Sequence, residues 1–571
     1  MNSFGSLYTG VSGLKTSQEA LNVTANNLAN VNTKGYTRQQ VYQGDRESVW
    51  VGRTPLNQQQ VGLGVSIGEV RQVRNVFLDK YYRQESGRQA FYDECYNSAV
   101  EVQDYLGEMQ GTEFQDALND FWKTVEELSK APEKTVNQNM LVEYAGVLMD
   151  RAKSVYSGLK EYQIKTNSKI EETIDRINEI GKDLLRINKQ ILTIESDAME
   201  KAKDLRDERA LLLDELGGYV KMDYEENLNG TVVVRIENDL FVTSVLQHDM
   251  GYTRDEDTGF VTPVWPDYGD QVIYNLDNDI STAANSDIGS LKAMLLARGN
   301  KHANYTSFYE SDLKTMISSD DYINSVSNSM MENTQIEFDN LLHTVMTKVN
   351  DALCPNKLLT DAEGNSILDE EGNEIYVWDE ENGSYGSDQE ATPATELFAR
   401  NGVKRYTEQL ITVDGEEKKY FVYNQEKADD PKSLYTISTV KVNGELEQIP
   451  SLLPTMSKNG DTNYPIAKAL AEAWANTNLY LNPNAEEKCN VTGYYVQMVS
   501  EIGIIGSVYD QISYGLSDTV ATIENQRQAV LGVSSDEELT NMIKYQNAYN
   551  ASSRYINAIS EMIEQLLNSL G

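Results

Sequence analysis

Apolar positions at the start of the chain recur at alternating steps of four and three. Leu7, Leu14, Leu21 and Leu28 share one heptad position, and Phe4, Val11, Gln18 and Ala25 share the other. Such a row is how a helix packs lengthwise on partner helices. The far end repeats the pattern. Met542, Tyr549, Ile556, Ile563 and Leu570 lie seven apart, while Tyr545, Ser552, Ile559 and Leu566 fill the second row. Two amphipathic helices at opposite ends of one chain are expected to pair with each other. Gln18, Ala25 and Ser552 interrupt the rows, so the ends are expected to be marginal alone and completed by neighbouring subunits.

Between the ends, periods of 3.6 and 2 alternate. The asparagines and Gly35 of the stretch 26–36 predict the end of the first helix. Residues 37–70 read as extended segments or a hairpin, with 61–70 the clearest strand and Gly62 and Gly64 inside it. Helical periodicity returns over 75–130, stops at Pro132, and resumes over 137–163 and 166–216; a helix of roughly fifty residues runs about 75 Å. Gly217 and Gly218 end it. Residues 219–285 carry strand signals at 231–236 and 240–243, and helices resume over 288–353. The stretch 355–460 is turn-rich, with AspXaaGluGlyAsn at 361–365 and 369–373 and a hairpin at Asp414-Gly415. A short helix over 465–476 leads to helices at 490–530 and 535–570. The expected fold is mainly α with β-rich inserts, in an elongated multi-domain protein. A terminal coiled-coil pair (1–70 with 530–571) joins a long-helix rod domain (71–216, completed by 288–354 and 479–529), with two outer β-domains at 217–287 and 355–478.

Composition narrows the partners. A formal net charge of −40 over 571 residues provides no basic stripe for nucleic acid and opposes an anionic membrane surface. Residues 361–390 hold eleven acids and no base, whereas 1–40 hold Lys15, Lys34 and Arg38 against Glu19 alone. The acidic surplus therefore lies mid-chain. Cys95, Cys354 and Cys489 are odd in number and far apart, which fits buried apolar side chains better than zinc or a disulfide framework. No cleavable signal pattern or membrane span is legible.

Candidate chemistry is thin. Asp204, Arg206, Asp207, Glu208 and Arg209 could suggest acid–base work, but on a helix they read as a surface ion-pair network. The two AspXaaGluGlyAsn turns lack the alternating acids and distal glutamate of a calcium loop. His248, His302 and His343 are isolated, and no phosphate-binding glycine loop follows a strand. No catalytic, metal or cofactor site is predicted.

The stretch AsnAsnLeuAlaAsnValAsnThrLysGlyTyr, with Asn26, Asn27, Asn30, Asn32, Thr33, Gly35 and Tyr36 as its marked positions, resembles the signature of bacterial flagellar axial proteins. Within that group GlyTyrThrArgGln at 35–39, the segment 61–79, the cluster 204–209 with Leu211, Leu212 and Leu216, and the closing stretch 532–556 are similar to the hook-associated protein 1 family. The resemblance spans roughly 1–220, 287–353 and 490–571, and 355–460 matches nothing placed.

Membership implies a structural, non-enzymatic subunit exported by the flagellar type III apparatus and set outside the cell at the hook–filament junction. The implied partners are further copies in a homo-oligomeric ring, the hook protein, a second junction protein with the filament, and an export chaperone on the C-terminal helix. Assembly contacts are expected on Phe4, Leu7, Val11, Leu14, Leu21 and Leu28, and on Met542, Tyr545, Tyr549, Ile556, Ile559, Ile563, Leu566 and Leu570. The alternatives are a hook or distal-rod protein, or an extracellular adhesin or enzyme module at 355–460 on a helical stalk.

Overall fold

The computed structural model describes residues 3–46, 48–54, 57–107, 114–196, 201–276, 280–369 and 372–570. Helix α1 (Ser3–Ala29) precedes strands β1 (Gln39–Asp45), β2 (Val49–Thr54), β3 (Asn57–Val61) and β4 (Val65–Gln72). Helices α2 (Val76–Leu106), α3 (Phe114–Lys130), α4 (Thr135–Ile194) and α5 (Lys203–Tyr219) follow. Next come β5 (Met222–Glu226), β6 (Val232–Ile236), β7 (Asp239–Val242), β8 (Gly251–Arg254), β9 (Val261–Trp265) and β10 (Gln271–Val272). Helices α6 (Ser290–Arg298), α7 (Ser319–Ser325) and α8 (Met330–Leu353) lead to β11 (Asn356–Leu358), β12 (Tyr376–Trp378), β13 (Phe398–Arg400), β14 (Tyr406–Val413), β15 (Glu416–Tyr423) and β16 (Val440–Val442). The chain closes with α9 (Gly444–Gln448), α10 (Tyr464–Ala475), α11 (Val491–Leu531) and α12 (Ser535–Leu570). The fold is mainly α with small antiparallel sheets, as the periodicity predicts.

Four boundaries differ from the sequence reading. Gly217 and Gly218, expected to end the helical region, lie inside α5, which runs on to Tyr219. The helices expected at 137–163 and 166–216 are one 60-residue helix, α4, and the separate α5. Nothing between 163 and 166 breaks the ladder, because Asn167 turns outward from α4 and accepts from Val261 N at 2.8 Å instead of competing with its own helix. The helix ends at Ile194, and the carboxylate of Glu195 just beyond it takes the Ala202 amide at 3.0 Å and so serves the open start of α5. Gly62 and Gly64 lie between β3 and β4, not inside a strand.

The chain forms two compact units. The first comprises 1–90, 176–249 and 514–571. In it β1 pairs with β4 from Gln39↔Gln72 to Asp45↔Val65, with an irregularity after Tyr42. The sheet β5-β6-β7 is fastened to α4 by Asn188, which exchanges both hydrogen bonds with Val232 (2.8 and 3.0 Å). The second unit comprises 91–175 and 250–513. Its core joins α3, α4, α8, α10 and α11. Phe114 lies edge-on to Phe338 (4.9 Å between ring centroids), and Trp122 stacks on Trp474 at 5.1 Å. The region expected to be turn-rich holds the sheet β11-β12-β15-β14, the pair β13-β16 and the Asp414-Gly415 hairpin turn. Asn365 N donates to Asp361 Oδ1 at 2.7 Å and Asn373 N to Asp369 Oδ1 at 2.8 Å, so in each acidic stretch the aspartate side chain takes the amide four residues on.

Candidate assembly interface

Within the first unit α1 and α12 run antiparallel. A Cβ at Gly10 would lie 2.8 Å from Ile556 Cγ1, and one at Gly13 would lie 2.9 Å from Ser552 Oγ. The backbones approach that closely because glycine and serine face each other there. Ser552, expected to weaken its row, is the partner that permits the approach. On α12 the predicted rows face inward: Met542, Tyr545, Tyr549, Ile556, Ile559 and Ile563 are half-buried, and only Leu566, 54 % exposed, falls outside.

On α1 the outcome differs. The face buried most deeply carries Ser12, Thr16, Ser17, Ala20, Thr24 and Asn27. Leu7, Leu14, Leu21 and Leu28 are half-buried, and Val11 is 47 % exposed. The side chains of Phe4 and Leu570 lie outside the described residues. The correction has a physical cause. Hydroxyl side chains satisfy themselves on nearby backbone as they are buried. Ser17 Oγ donates to Gly13 O (2.8 Å), and Ser12 Oγ donates to Thr9 O (2.8 Å) while accepting from Val65 N (3.2 Å). Small side chains therefore seat α1 between the β1–β4 ribbon and α12. The leucine row is left along the flank of the pair.

The asparagine motif is a clamp. Asn27, buried, donates to Gln39 O at 2.9 Å, while its Oδ1 accepts from Gln39 N (3.0 Å) and from the Tyr36 hydroxyl (2.8 Å). Burial, with Asp207 nearby, pushes the Tyr36 phenol up to about 12, so it stays a donor. Asn30 donates to Asn26 O at 3.0 Å and its Oδ1 accepts from Thr33 Oγ1 at 3.1 Å. Asn26 and Asn32 are exposed. Gly35 has φ +80° in a turn closed by Tyr36 N to Thr33 O at 3.2 Å.

Residues beyond the motif complete the joint; the sequence reading picks out 35–39 and 204–209 as separate matches but not as partners, and does not single out Arg527. Asp207 accepts from Thr37 N (3.1 Å), Thr37 Oγ1 (2.6 Å) and Gln72 Nε2 (2.9 Å). Arg38 pairs with Glu537 (2.8 Å) and Glu538 (2.9 Å), and its amide donates to Leu531 O (2.9 Å). Arg527 of α11 reaches Asp79 of α2 and Asp214 of α5, each at 2.9 Å, with Arg74 and Arg83 on the same two carboxylates. These partners stand far apart in sequence, so no spacing rule finds them.

The cluster 204–209 is also corrected. Asp207 and Arg209 are buried rather than spread over a helix surface. Arg206 bonds Glu195 and Glu226, and Arg209 bonds Glu226 and Gly230 O (2.7 Å), so the pairs cross between elements. Burial alone would raise the Glu195 carboxyl, but Arg206 and the Ala202 amide hold it down to about 2. Such tethering leaves the group an anion at every working pH and fits architecture, not proton transfer. The cysteines are buried, and burial pushes the Cys354 thiol up to about 12. Among the described residues no group of three or more His, Cys, Asp or Glu is placed to hold a metal, and no helix is long and apolar enough to cross a membrane.

Comparison with known proteins places these features. The family described as "Flagellar hook-associated protein FlgK helical domain" matches residues 99–364. "Flagella basal body rod protein" matches 7–37, and "Flagellar basal body rod FlgEFG protein C-terminal" matches 520–570. The flagellar hook-associated protein 1 of Bacillus subtilis (strain 168) is 22% identical over 588 residues, covering 100% of this chain and 99% of that one. The flagellar hook-associated protein 1 of Escherichia coli (strain K12) is 25% identical over 238 residues, 40% of this chain and 41% of that protein. The solved structure of the flagellar hook junction protein FlgK from Burkholderia pseudomallei superposes with a TM-score of 0.52 at 11% identity, over 79% of this chain and 100% of that one. That superposition bears on the fold. The two terminal matches fall on α1 with the asparagine clamp and on the end of α11 with α12, the parts that form the joint. Its helical middle, its two axial ends and its full-length similarity to the Bacillus subtilis protein all point the same way: the chain is similar throughout to flagellar hook-associated protein 1.

Proposed function

We propose that this chain is a structural subunit of the flagellum, an adaptor at the hook–filament junction that polymerises through α1 and α12. The observation that carries the reading is the apolar surface left along the pair. Val11 and Tyr8 of α1, and Tyr555, Met562, Leu566 and Leu567 of α12, are exposed beside the half-buried leucines. Exposed apolar side chains on both helices of an otherwise acidic chain offer a surface for neighbouring subunits. The proposed contacts are further copies in a ring, the hook protein on one side, a second junction protein and the filament on the other, and a chaperone on α12 before export to the cell exterior. No catalytic step is assigned.

Deleting residues 541–571 tests this. The expected result is a soluble, folded remainder, cells with bare hooks, and flagellin shed into the medium. Filaments still attached to hooks in such cells would refute the assignment. A second reading, a hook or distal-rod subunit, draws on the rod-protein families that match the two ends. It predicts missing hooks rather than bare ones in a null mutant.

A further inference from the structure

A cavity of about 270 Å³ lies within the second unit, lined by residues of α2, α7, α8 and α11 and of the segment around Asn482. Glu337 of α8 and Glu501 of α11 both border it. Asn482 Nδ2 spans them, 3.0 Å from Glu337 Oε1 and 3.4 Å from Glu501 Oε2. Asn333 Nδ2 also donates to Glu337 Oε1, at 3.1 Å, and is itself fixed by the Tyr322 hydroxyl. Both bonds to Glu337 fall on Oε1. Its Oε2 has none among the described residues, although the side chain is 1 % exposed. Ser98 Oγ, buried on the same cavity, likewise has no partner of hydrogen-bonding geometry, although the Tyr162 hydroxyl is near enough to feel it. The remaining lining includes apolar Ile502, Ile505 and Leu296, and none of the described lining residues is lysine or arginine.

A buried carboxylate without a cation is costly, and an adjacent second one makes it more so. The cation that would offset the pair when it ionises is not a metal. A hard divalent cation takes six or more oxygens drawn in around it, and here a donor, Asn482 Nδ2, already stands between the two carboxylates. A water needs roughly 10–15 Å³ of such space, so the cavity has room for a chain of several carbons. An ammonium head carries three donors, and Glu337 Oε2, the Glu501 carboxylate and Ser98 Oγ are acceptors for them. We propose that this cavity binds a small aliphatic ammonium ion, its head between Glu337, Glu501 and Ser98 and its alkyl part on Ile502 and Ile505. The site is independent of the assembly role.

Protonation adds a signature. Burial, then the charge of Glu501, pushes Glu337 up to about 8, so the free protein holds a proton there at neutral pH. A bound cation favours the ionised form, so binding releases that proton and tightens as pH rises towards 8.

The full chain is titrated calorimetrically with n-pentylammonium, with n-pentanol, Mg²⁺ and Ca²⁺ as comparison probes, in buffers of different ionisation heat. Saturable binding of the amine with proton release, absent for n-pentanol, is expected. Glu337→Gln and Glu501→Gln should each weaken it roughly ten- to a hundredfold, the scale of one charge-assisted hydrogen bond. The glutamine at 337 is isosteric with the protonated acid, so circular dichroism of that variant is expected to match the parent. No saturable heat with the amine, equal binding of n-pentanol, preference for either metal ion, or unchanged affinity in both variants overturns the proposal.

Discussion

Gly35 is where a sequence motif and the fold can be tested against each other. Two terms oppose any side chain there. At φ +80° an L-residue costs about 1–2 kcal/mol over glycine. A Cβ would also lie 2.7 Å from Leu211 Cγ and Cδ1, where carbons prefer about 3.5–4.0 Å. Leu211 is 36 % exposed on α5 and can retreat, so the packing term belongs at the low end of overpacking costs, about 1 kcal/mol. Gly35→Ala should therefore cost about 2–3 kcal/mol locally, the sum of the two terms. The turn it breaks positions Tyr36, Thr37 and Arg38, so the loss should appear as faster amide exchange over 26–40 and 531–540 in the full-length chain. Pairing Gly35→Ala with Leu211→Ala should recover the clash and leave the backbone cost of about 1–2 kcal/mol. Unchanged exchange in Gly35→Ala would refute the reasoning. Full rescue by the double variant would show that the left-handed conformation contributes nothing.

Other consequences are simpler. Gly515 is exposed inside α11 and a Cβ there meets nothing within 4 Å, so Gly515→Ala should stabilise the chain by about 1 kcal/mol in urea unfolding, opposite in sign to Gly35→Ala. Arg38→Ala strips the ion pair from Glu538, whose side chain is 3 % exposed, and should cost about 1–3 kcal/mol, read as faster exchange at the start of α12. Glu337 is raised from 4.5 to about 8 in the fold, so its contribution favours folding below pH 4.5 and is lost as pH rises through 8. The second unit should accordingly unfold more readily on the alkaline side, and Glu337→Gln should flatten that part of the pH profile.

Much of the fold was legible, and for local reasons. Proline, glycine and asparagine punctuate the chain wherever backbone geometry forces a stop, so α10, α11, α12 and the Asp414-Gly415 hairpin fall close to where the pattern puts them. The α4–α5 boundary escaped notice because residues 195–202 contain neither proline nor glycine, so the sequence carries no stop signal there. At the joint, Asn27, Gly35 and Tyr36 were found as a motif. Asp207, Arg38 and Arg527 were not found as its partners, because an ion pair spanning from α11 to α2 leaves no periodic trace.

The sequence by itself determined the helical and extended stretches, the two amphipathic ends, the acidic middle and the family signature, since each rests on neighbours within a few residues. Only the tertiary structure decided which face of α1 is buried. Heptad leucines pointed to one face; Gly10, Gly13 and the self-satisfied hydroxyls of Ser12 and Ser17 gave the closest approach to another. Backbone proximity is set by the smallest side chains and hydrophobic area by the largest, and on α1 the two lie on different sides. That difference is why the leucine row is still half-exposed when the chain has finished folding.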